Sequence, residues 1–440
     1  MNVVVVSSKY PPEYSGSGLR AHRTHVRLRE KYGINSEVIC SGIEYRSPET
    51  YFENDLRVQR VVSQSFRSIH SLFGKGPIRR LTNAAVFRSE MNLVDKVLQT
   101  KNPDVLHVFG YSPATMAAIG WARIHNIPLM RELVNVVASP YQYPPGQTKN
   151  PSYEYPDQSV VVAISAELGK TTAKAGLTNN VWVRPNPVDL DRFRFTSRFD
   201  RDDSRKRLTT FSAEDRVIVF VSKFRQSKNH AFLIDVLAEL PIHYKLLLAG
   251  PPSDPADPQP GLSTEEIWKL QDRAAARGLS GRLIVKPEFV DAADYMRAGD
   301  VFCMPAEKEA MGTPLLEALC LGLPVVANAS EPSFREWIID GENGYLRNLD
   351  ASAWARAVLK TERFTSSHRE SMASRIQSIA SQDVIDETYY KLLSALSRTL
   401  PGEDVVIDRV INEPEPEISK VRESVRNLEI LPAELDGRAA

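Results

Sequence analysis

The stretch Val301-Phe-Cys-Met304-Pro-Ala-Glu-Lys-Glu309-Ala-Met-Gly312-Thr-Pro-Leu-Leu-Glu317-Ala-Leu-Cys-Leu321 reads as a strand, a glycine turn and a helix in succession. Val301 to Met304 is a short apolar run of the buried-strand kind, and Pro314 to Leu321 repeats apolar residues at helical spacing. One carboxylate, Glu309, stands just before the turn, and a second, Glu317, lies inside the helix. A glutamate pair straddling a strand-turn-helix crevice suits a polyhydroxylated ligand, which directs attention to sugars and nucleotides.

The same alternation extends to both sides. Ahead of it come the strand Val217 to Val221, a helix from Asn229 to Leu240, the strand Tyr244 to Ala249 and a Pro/Gly/Asp loop from Gly250 to Leu262. Ser263, with Glu266 three residues on, opens another helix through a capping box. Strands Leu283 to Val285 and Pro324 to Ala327 complete this half, with helices near Ala292 to Arg297 and Phe334 to Asp340. The first half offers strands Val3 to Val6, Ser36 to Cys40, Val105 to Phe109, Ile127 to Met130, Val160 to Ile164 and Val181 to Arg184. Helices Leu19 to Lys31, Pro113 to His125 and Ala166 to Ala175 alternate with them. Strands separated by helices of this length imply parallel sheets covered on both faces.

Residues 191 to 213 are rich in Arg, Asp and Ser with little periodicity, and mark the break between two doubly wound, Rossmann-like α/β domains. The expected division is an N-terminal domain over 1–190 and a C-terminal one over 213–380. Residues 351 to 400 read as helical, and 401–440 as a charged tail without a core. Two such domains in tandem hold a ligand in the cleft between them, outside the carboxyl ends of the strands.

Composition narrows the function classes. The chain has 440 residues, 42% of them hydrophobic, enough for two cores, and its 55 Lys and Arg balance 55 Asp and Glu, so the overall charge asks for no nucleic acid. Three cysteines, Cys40, Cys303 and Cys320, sit in apolar settings without metal-ligand spacing, which fits buried thiols in a reducing compartment. The apolar run at the N-terminus is too short for a signal peptide or a span. These features fit a cytoplasmic protein. Basic residues between Phe66 and Arg88, including Arg67, Lys75, Arg79 and Arg80, suit either a solvated helix or a peripheral contact with an anionic membrane or glycan.

Several residues could carry chemistry. Gly16 and Gly18 lie between the first strand and its helix, where a missing side chain lets backbone N–H groups approach an anion; a plain turn explains them equally well. Lys223 and Lys228 follow the strand Val217 to Val221 and can clamp the phosphates of a nucleotide, with solvated surface lysines as the alternative. Glu309 can accept hydrogen bonds from sugar hydroxyls, Glu317 can accept a bidentate pair from vicinal hydroxyls, and the helix N-terminus at Gly312 and Thr313 adds backbone donors. His107 reads as a structural polar group in a strand, and His230 as a group beside the lysine pair. No zinc constellation is present in the sequence pattern.

With these residues in place, the chain resembles glycosyltransferase family 4, retaining nucleotide-sugar-dependent enzymes of the GT-B fold and part of the glycosyl transferases group 1. The resemblance is carried by the Glu309 to Glu317 spacing with Gly312, by Val221-Ser-Lys-Phe and Lys228-Asn-His230, and by Arg184-Pro-Asn-Pro-Val-Asp189. Ala163-Ile-Ser165, Gly322-Leu-Pro-Val-Val326 and Asp340-Gly-Glu-Asn-Gly344 add further landmarks. It implies a UDP- or GDP-sugar donor, with Lys223 and Lys228 on the diphosphate, Glu309 on the transferred sugar, Glu317 on the ribose, and Gly16 and Gly18 leaving room for the diphosphate. It implies no cofactor and no metal, and an acceptor that is a glycan, a lipid-linked sugar or a small molecule. It also implies that the helix after Ser381 returns to the first domain.

One departure stands out: many relatives have a histidine at the end of the strand that here reads Pro128-Leu-Met-Arg-Glu-Leu-Val134, with Arg131 and Glu132 in its place. A nucleotide-sugar-binding protein without transferase activity is therefore the second reading. A nucleotide-sugar epimerase would need a set of acids and histidines that the sequence does not supply.

Overall fold

The computed structural model describes residues 1–13, 15–41, 47–63, 77–134, 139–178, 180–252 and 261–399, with backbone alone at 77 and 79. Arg67, Lys75, the side chain of Arg79, most of the loop between Gly250 and Leu262, and the tail beyond 400 lie outside the described residues. The chain divides into two compact units. The first comprises 1–163, 169–183 and the residues from 386 on; the second comprises 164–168 and 184–385.

The first unit is built on eight strands: β1 (Asn2–Ser7), β2 (Asn35–Cys40), β3 (Glu49–Glu53), β4 (Leu56–Arg60), β5 (Val105–Phe109), β6 (Leu129–Leu133), β7 (Ser159–Ala163) and β8 (Val181–Val183). Their order in the sheet is β3-β4-β2-β1-β5-β6-β7-β8. All neighbours are parallel except the edge hairpin β3–β4, which turns at Asn54 and Asp55 with φ of 44° and 60°. β5, β6 and β7 are buried throughout, as apolar runs covered on both faces should be. β6 starts two residues later than the sequence suggests. Ile127 is taken by the helix Pro113–His125, its N–H donating to Ala122 O at 3.0 Å after the left-handed Asn126. The first helix runs from Gly16 to Tyr32, earlier than the expected Leu19, because Ser15 caps it by accepting from the Gly18 N–H at 2.9 Å.

A chain of buried polar groups crosses this core. Ser36 Oγ meets His25 Nδ1 at 2.8 Å, His25 Nε2 meets His107 Nδ1 at 2.9 Å, and His107 Nε2 lies 3.3 Å from Glu132 Oε1. Tyr389 donates to the same oxygen at 2.5 Å. Burial, and then the neighbouring His107, hold the His25 pKa well below its ordinary value. One proton pattern satisfies the chain with both imidazoles neutral: each Nε2–H donates toward Glu132 and Ser36 donates to His25. Arg27 grips the buried Asp386 through two bonds of 2.7 and 2.8 Å, fixing the last described helix, Gln382–Leu396, to this unit from Asp386 onward.

The second unit carries six parallel strands: β9 (Arg216–Val221), β10 (Tyr244–Ala249), β11 (Leu283–Lys286), β12 (Val301–Met304), β13 (Val325–Asn328) and β14 (Gly344–Arg347). Their order is β11-β10-β9-β12-β13-β14, the Rossmann order 3-2-1-4-5-6. Two expectations are corrected here. The span Phe334 to Asp340 is no α-helix; a 3-10 turn covers Pro332–Glu336, and Asn343 then redirects the chain by accepting from the Ile339 N–H and donating to Trp337 O. Residues 191 to 213 are not without structure, since Arg198–Leu208 forms a helix closed by a Ser197–Asp200 capping box.

That helix lacks an apolar stripe because arginines attach it. Arg205 Nη2 and Arg201 Nη1 each lie 2.7 Å from a carboxylate oxygen of Asp300, which also accepts the Val217 N–H at 2.8 Å. Burial opposes ionisation of Asp300, but the charges of Arg205, Arg216 and Arg201 outweigh it and lower its pKa. Asp300→Ala should lose roughly 3–5 kcal/mol in chemical denaturation, since it leaves buried guanidinium groups without their anion. A group whose folded-state pKa is depressed contributes fully above its ordinary pKa and loses that contribution as pH falls through the depressed one. Asp300→Asn should therefore be less sensitive to acid than the unmodified protein at the bottom of the pH range, measured by unfolding at several pH values.

Candidate nucleotide-sugar site

In each sheet the strand order reverses at one place, between β1 and β5 in the first unit and between β9 and β12 in the second. Open α/β sheets bind ligands at such switch points, outside the carboxyl ends of the strands. In the second unit the segments leaving β9 and β12 are those that carry Lys223, Lys228, Glu309, Gly312, Thr313 and Glu317.

After β9 the chain passes half-buried Lys223, packed between buried Ser222 and Phe224, and makes a 3-10 turn over Gln226–Lys228. Asn229 then takes the left-handed conformation at φ 54° and the helix His230–Ala238 begins. The loop after β12 is tied to this turn: the Glu307 N–H donates to Ser227 O at 3.0 Å, and Lys228 Nζ contacts Glu309 Oε1 directly. Both side chains of that ion pair are largely buried, at 13% and 14% exposure. Burial, and secondarily Arg225, lower the Lys228 pKa to about 8, with Glu331 pulling the other way.

Glu331 is a member of the site that the sequence reading missed. Its Oε2 accepts the Glu309 N–H at 3.0 Å, while its Oε1 accepts from Ser333 N and Oγ at 3.2 and 3.0 Å. Burial raises its pKa, against the Ser333 hydrogen bonds and the Lys228 charge. The one local signal was an acidic residue ahead of Pro332, a helix-start pattern. His230 supports the lysine segment from behind: its Nε2 lies 3.1 Å from Ser222 Oγ and its ring stacks on Phe224 at 4.4 Å. Burial, then the Lys228 charge, push its pKa down to about 3, so it is neutral in ordinary conditions and packs rather than exchanging protons.

Gly312 caps the helix Thr313–Cys320 in the left-handed conformation, φ 75°, and no side chain caps that helix. Pro314 has no N–H and the Leu315 N–H donates to Gly312 O at 2.9 Å, so the N–H groups of Gly312 and Thr313 are the ones at this turn suited to an anion or a hydroxyl oxygen. Glu317 lies on the same helix, half-buried among the buried Leu315, Leu316, Ala318 and Leu319. In the first unit, Gly18 and Gly16 separate by role. A Cβ on Gly18 would stand 2.2 Å from Lys9 O, so packing alone demands a glycine there, and its N–H is already used by Ser15. A Cβ on Gly16 would meet nothing within 4 Å.

Arg131 and Glu132, which occupy the strand where many relatives have their histidine, are both buried in β6. Arg131 donates through Nη2 to Gln142 at 2.8 Å and Glu132 belongs to the His107–Tyr389 chain. Among the described residues, no group of three His, Cys, Asp or Glu could hold a metal ion, and no helix is long and apolar enough to cross a membrane.

Comparison with known proteins agrees with this geometry. Residues 200–379, which contain the lysines, both glutamates and Gly312, match the family profile of the glycosyl transferases group 1. The chain carries a glycosyl transferases group 1 domain. It is 25% identical over 338 residues to the Bacillus subtilis putative teichuronic acid biosynthesis glycosyltransferase TuaC, covering 74% of this chain and 80% of that protein. It is 30% identical over 167 residues to the lipopolysaccharide core biosynthesis mannosyltransferase LpsB of Rhizobium meliloti, covering 38% of this chain and 44% of that one. Among solved structures, Anabaena HepE in complex with UDP and glucose superposes with a TM-score of 0.64 at 16% identity, over 90% of this chain and all of that one, 100%. The two Rossmann-like units are thus those of the GT-B fold, as the group 1 resemblance implies.

Within the group 1 domain, Gly312→Ala would place a Cβ 2.6 Å from Phe334 Cε1 and force an L-residue to φ 75°. The left-handed strain and the clash should together lower stability by roughly 2–4 kcal/mol, read from thermal or urea unfolding.

Proposed function

We propose that the protein is a retaining glycosyltransferase that moves a sugar from a nucleoside-diphosphate sugar, with UDP or GDP as the leaving group, to an acceptor hydroxyl in glycan, polysaccharide or glycolipid synthesis. The observation that carries this reading is the buried Lys228–Glu309 pair at the β9/β12 switch point, beside a helix whose N-terminus no side chain caps. Lys228 and Lys223 bind the diphosphate and take up its charge as it leaves. Glu309 contacts the transferred sugar, Glu317 the nucleotide ribose, and the backbone at Gly312 and Thr313 donates to the donor. Gly16 leaves room for the diphosphate in the first unit. The bond from the anomeric carbon to the phosphate oxygen breaks while the acceptor oxygen attacks from the same face, and the acceptor proton passes to the departing phosphate. In this scheme both glutamates position the ligand rather than exchange protons. Support for the donor class comes from HepE, solved with UDP and glucose, and support for a glycan product from the names of TuaC and LpsB.

A second reading, donor binding without transfer, draws on one observation: β6 carries no histidine at the place where many relatives have one, and its Arg131 and Glu132 are buried with bonds to Gln142 and Tyr389. A panel of UDP-, GDP- and ADP-sugars assayed for binding and for slow hydrolysis separates the two. Binding with neither hydrolysis nor transfer across many acceptors would select the second reading.

Lys228→Ala or Glu317→Ala should weaken donor binding or turnover by about tenfold or more with the fold intact, Glu317→Ala melting close to the unmodified protein and Lys228→Ala below it because the largely buried Glu309 loses its cation. Unchanged donor kinetics in both variants would sink the assignment. Because Lys228 carries its charge only below a pKa of about 8, affinity for UDP or GDP should fall as the pH rises through that value. Titration calorimetry from pH 7 to pH 9 checks it, with Lys228→Arg expected to remain flat over that range.

A further inference from the structure

Asn186 has no role in the scheme above, yet it holds the turn on which the scheme depends. It lies in Arg184-Pro-Asn-Pro187, belongs to the second unit and is 6% exposed. Its backbone N–H donates to Met311 Sδ at 3.0 Å and its Nδ2 donates to Thr313 Oγ1 at 2.7 Å. One residue thus grips the chain on both sides of Gly312.

Two further facts give this grip a purpose. Thr313 is the first residue of the helix Thr313–Cys320, and its N-cap, Gly312, has no side chain to offer. The Thr313 hydroxyl is therefore the side-chain handle at this helix start, and it accepts from Asn186. The Asn186 Oδ1 is buried without a hydrogen-bond partner. The amide is therefore held through its Nδ2 and the backbone N–H, both directed to the two residues that flank Gly312.

We propose that Asn186 is a positioning residue for the donor: by engaging Met311 and Thr313 it fixes the turn about Gly312, and with it the Gly312 and Thr313 N–H groups that are offered to the diphosphate. The inference rests on the nucleotide-sugar reading.

The test is a double-variant cycle of Asn186→Ala, Thr313→Val and the pair together, with donor KM and kcat, UDP or GDP affinity by calorimetry, and thermal melting. Each single variant should raise donor KM and weaken nucleotide affinity by about tenfold, with a smaller change in kcat. The double variant should be no worse than the weaker-binding single, because both side chains act through one bond. Wild-type affinity in Asn186→Ala, or losses that multiply in the double variant, would overturn the proposal. If Asn186→Ala does not fold, Thr313→Val alone decides, and unchanged affinity there overturns it too. An unmodified protein that neither binds UDP or GDP nor turns over any donor overturns the nucleotide-sugar reading itself, a result distinct from variants that match an active wild type.

Discussion

A lysine ammonium shut away from water must be met by negative charge, and Lys228 imposes that condition on the second unit. The loop after β12 answers it by bringing Glu309 into contact, and Glu331 then holds the Glu309 backbone and adds a second carboxylate nearby. His230 cannot share the burden. It is kept neutral by its own burial and by the lysine's charge, and serves as a stacked plate behind the loop. In the proposed scheme this ion pair is a poised arrangement: a diphosphate would compete with Glu309 for the ammonium and free that carboxylate for hydroxyl groups.

Much of the fold was legible because buried parallel strands announce themselves. Val217 to Val221 and Val301 to Met304 are continuous apolar runs, Tyr244 to Ala249 is one broken only by Lys245, and each is a strand at the expected place. The hairpin β3–β4 was not foreseen, since β3 is mostly exposed and its residues follow no single pattern, although the Asn54-Asp55 turn was a usable signal. The helix Arg198–Leu208 escaped for a different reason. Its attachment is ionic, and periodicity analysis looks for apolar faces.

The candidate site divides the same way. Lys223, Lys228, Glu309 and Glu317 were visible because each stands at a fixed offset from a strand or turn that the sequence already marks. Glu331 and Asn186 were not, because their partners lie 22 and more than 100 residues away and only tertiary structure brings them together. Position alone would also have misled: Arg131 and Glu132 look like site residues on a strand end, yet both are buried, with Arg131 Nη2 on Gln142 and Glu132 on Tyr389.

The boundary between the two compact units falls inside the helix Gln382–Leu396, at Asp386, whose carboxylate is sealed against Arg27 and Lys31. The unit that begins at Met1 is therefore not closed by its own contiguous stretch of chain. During synthesis its Arg27 and Lys31 await a counter-ion encoded more than 350 residues later, after the whole of the second unit has emerged. A break in translation just before Asp386 would leave the second unit nearly whole and damage the first, which needs that carboxylate against Arg27.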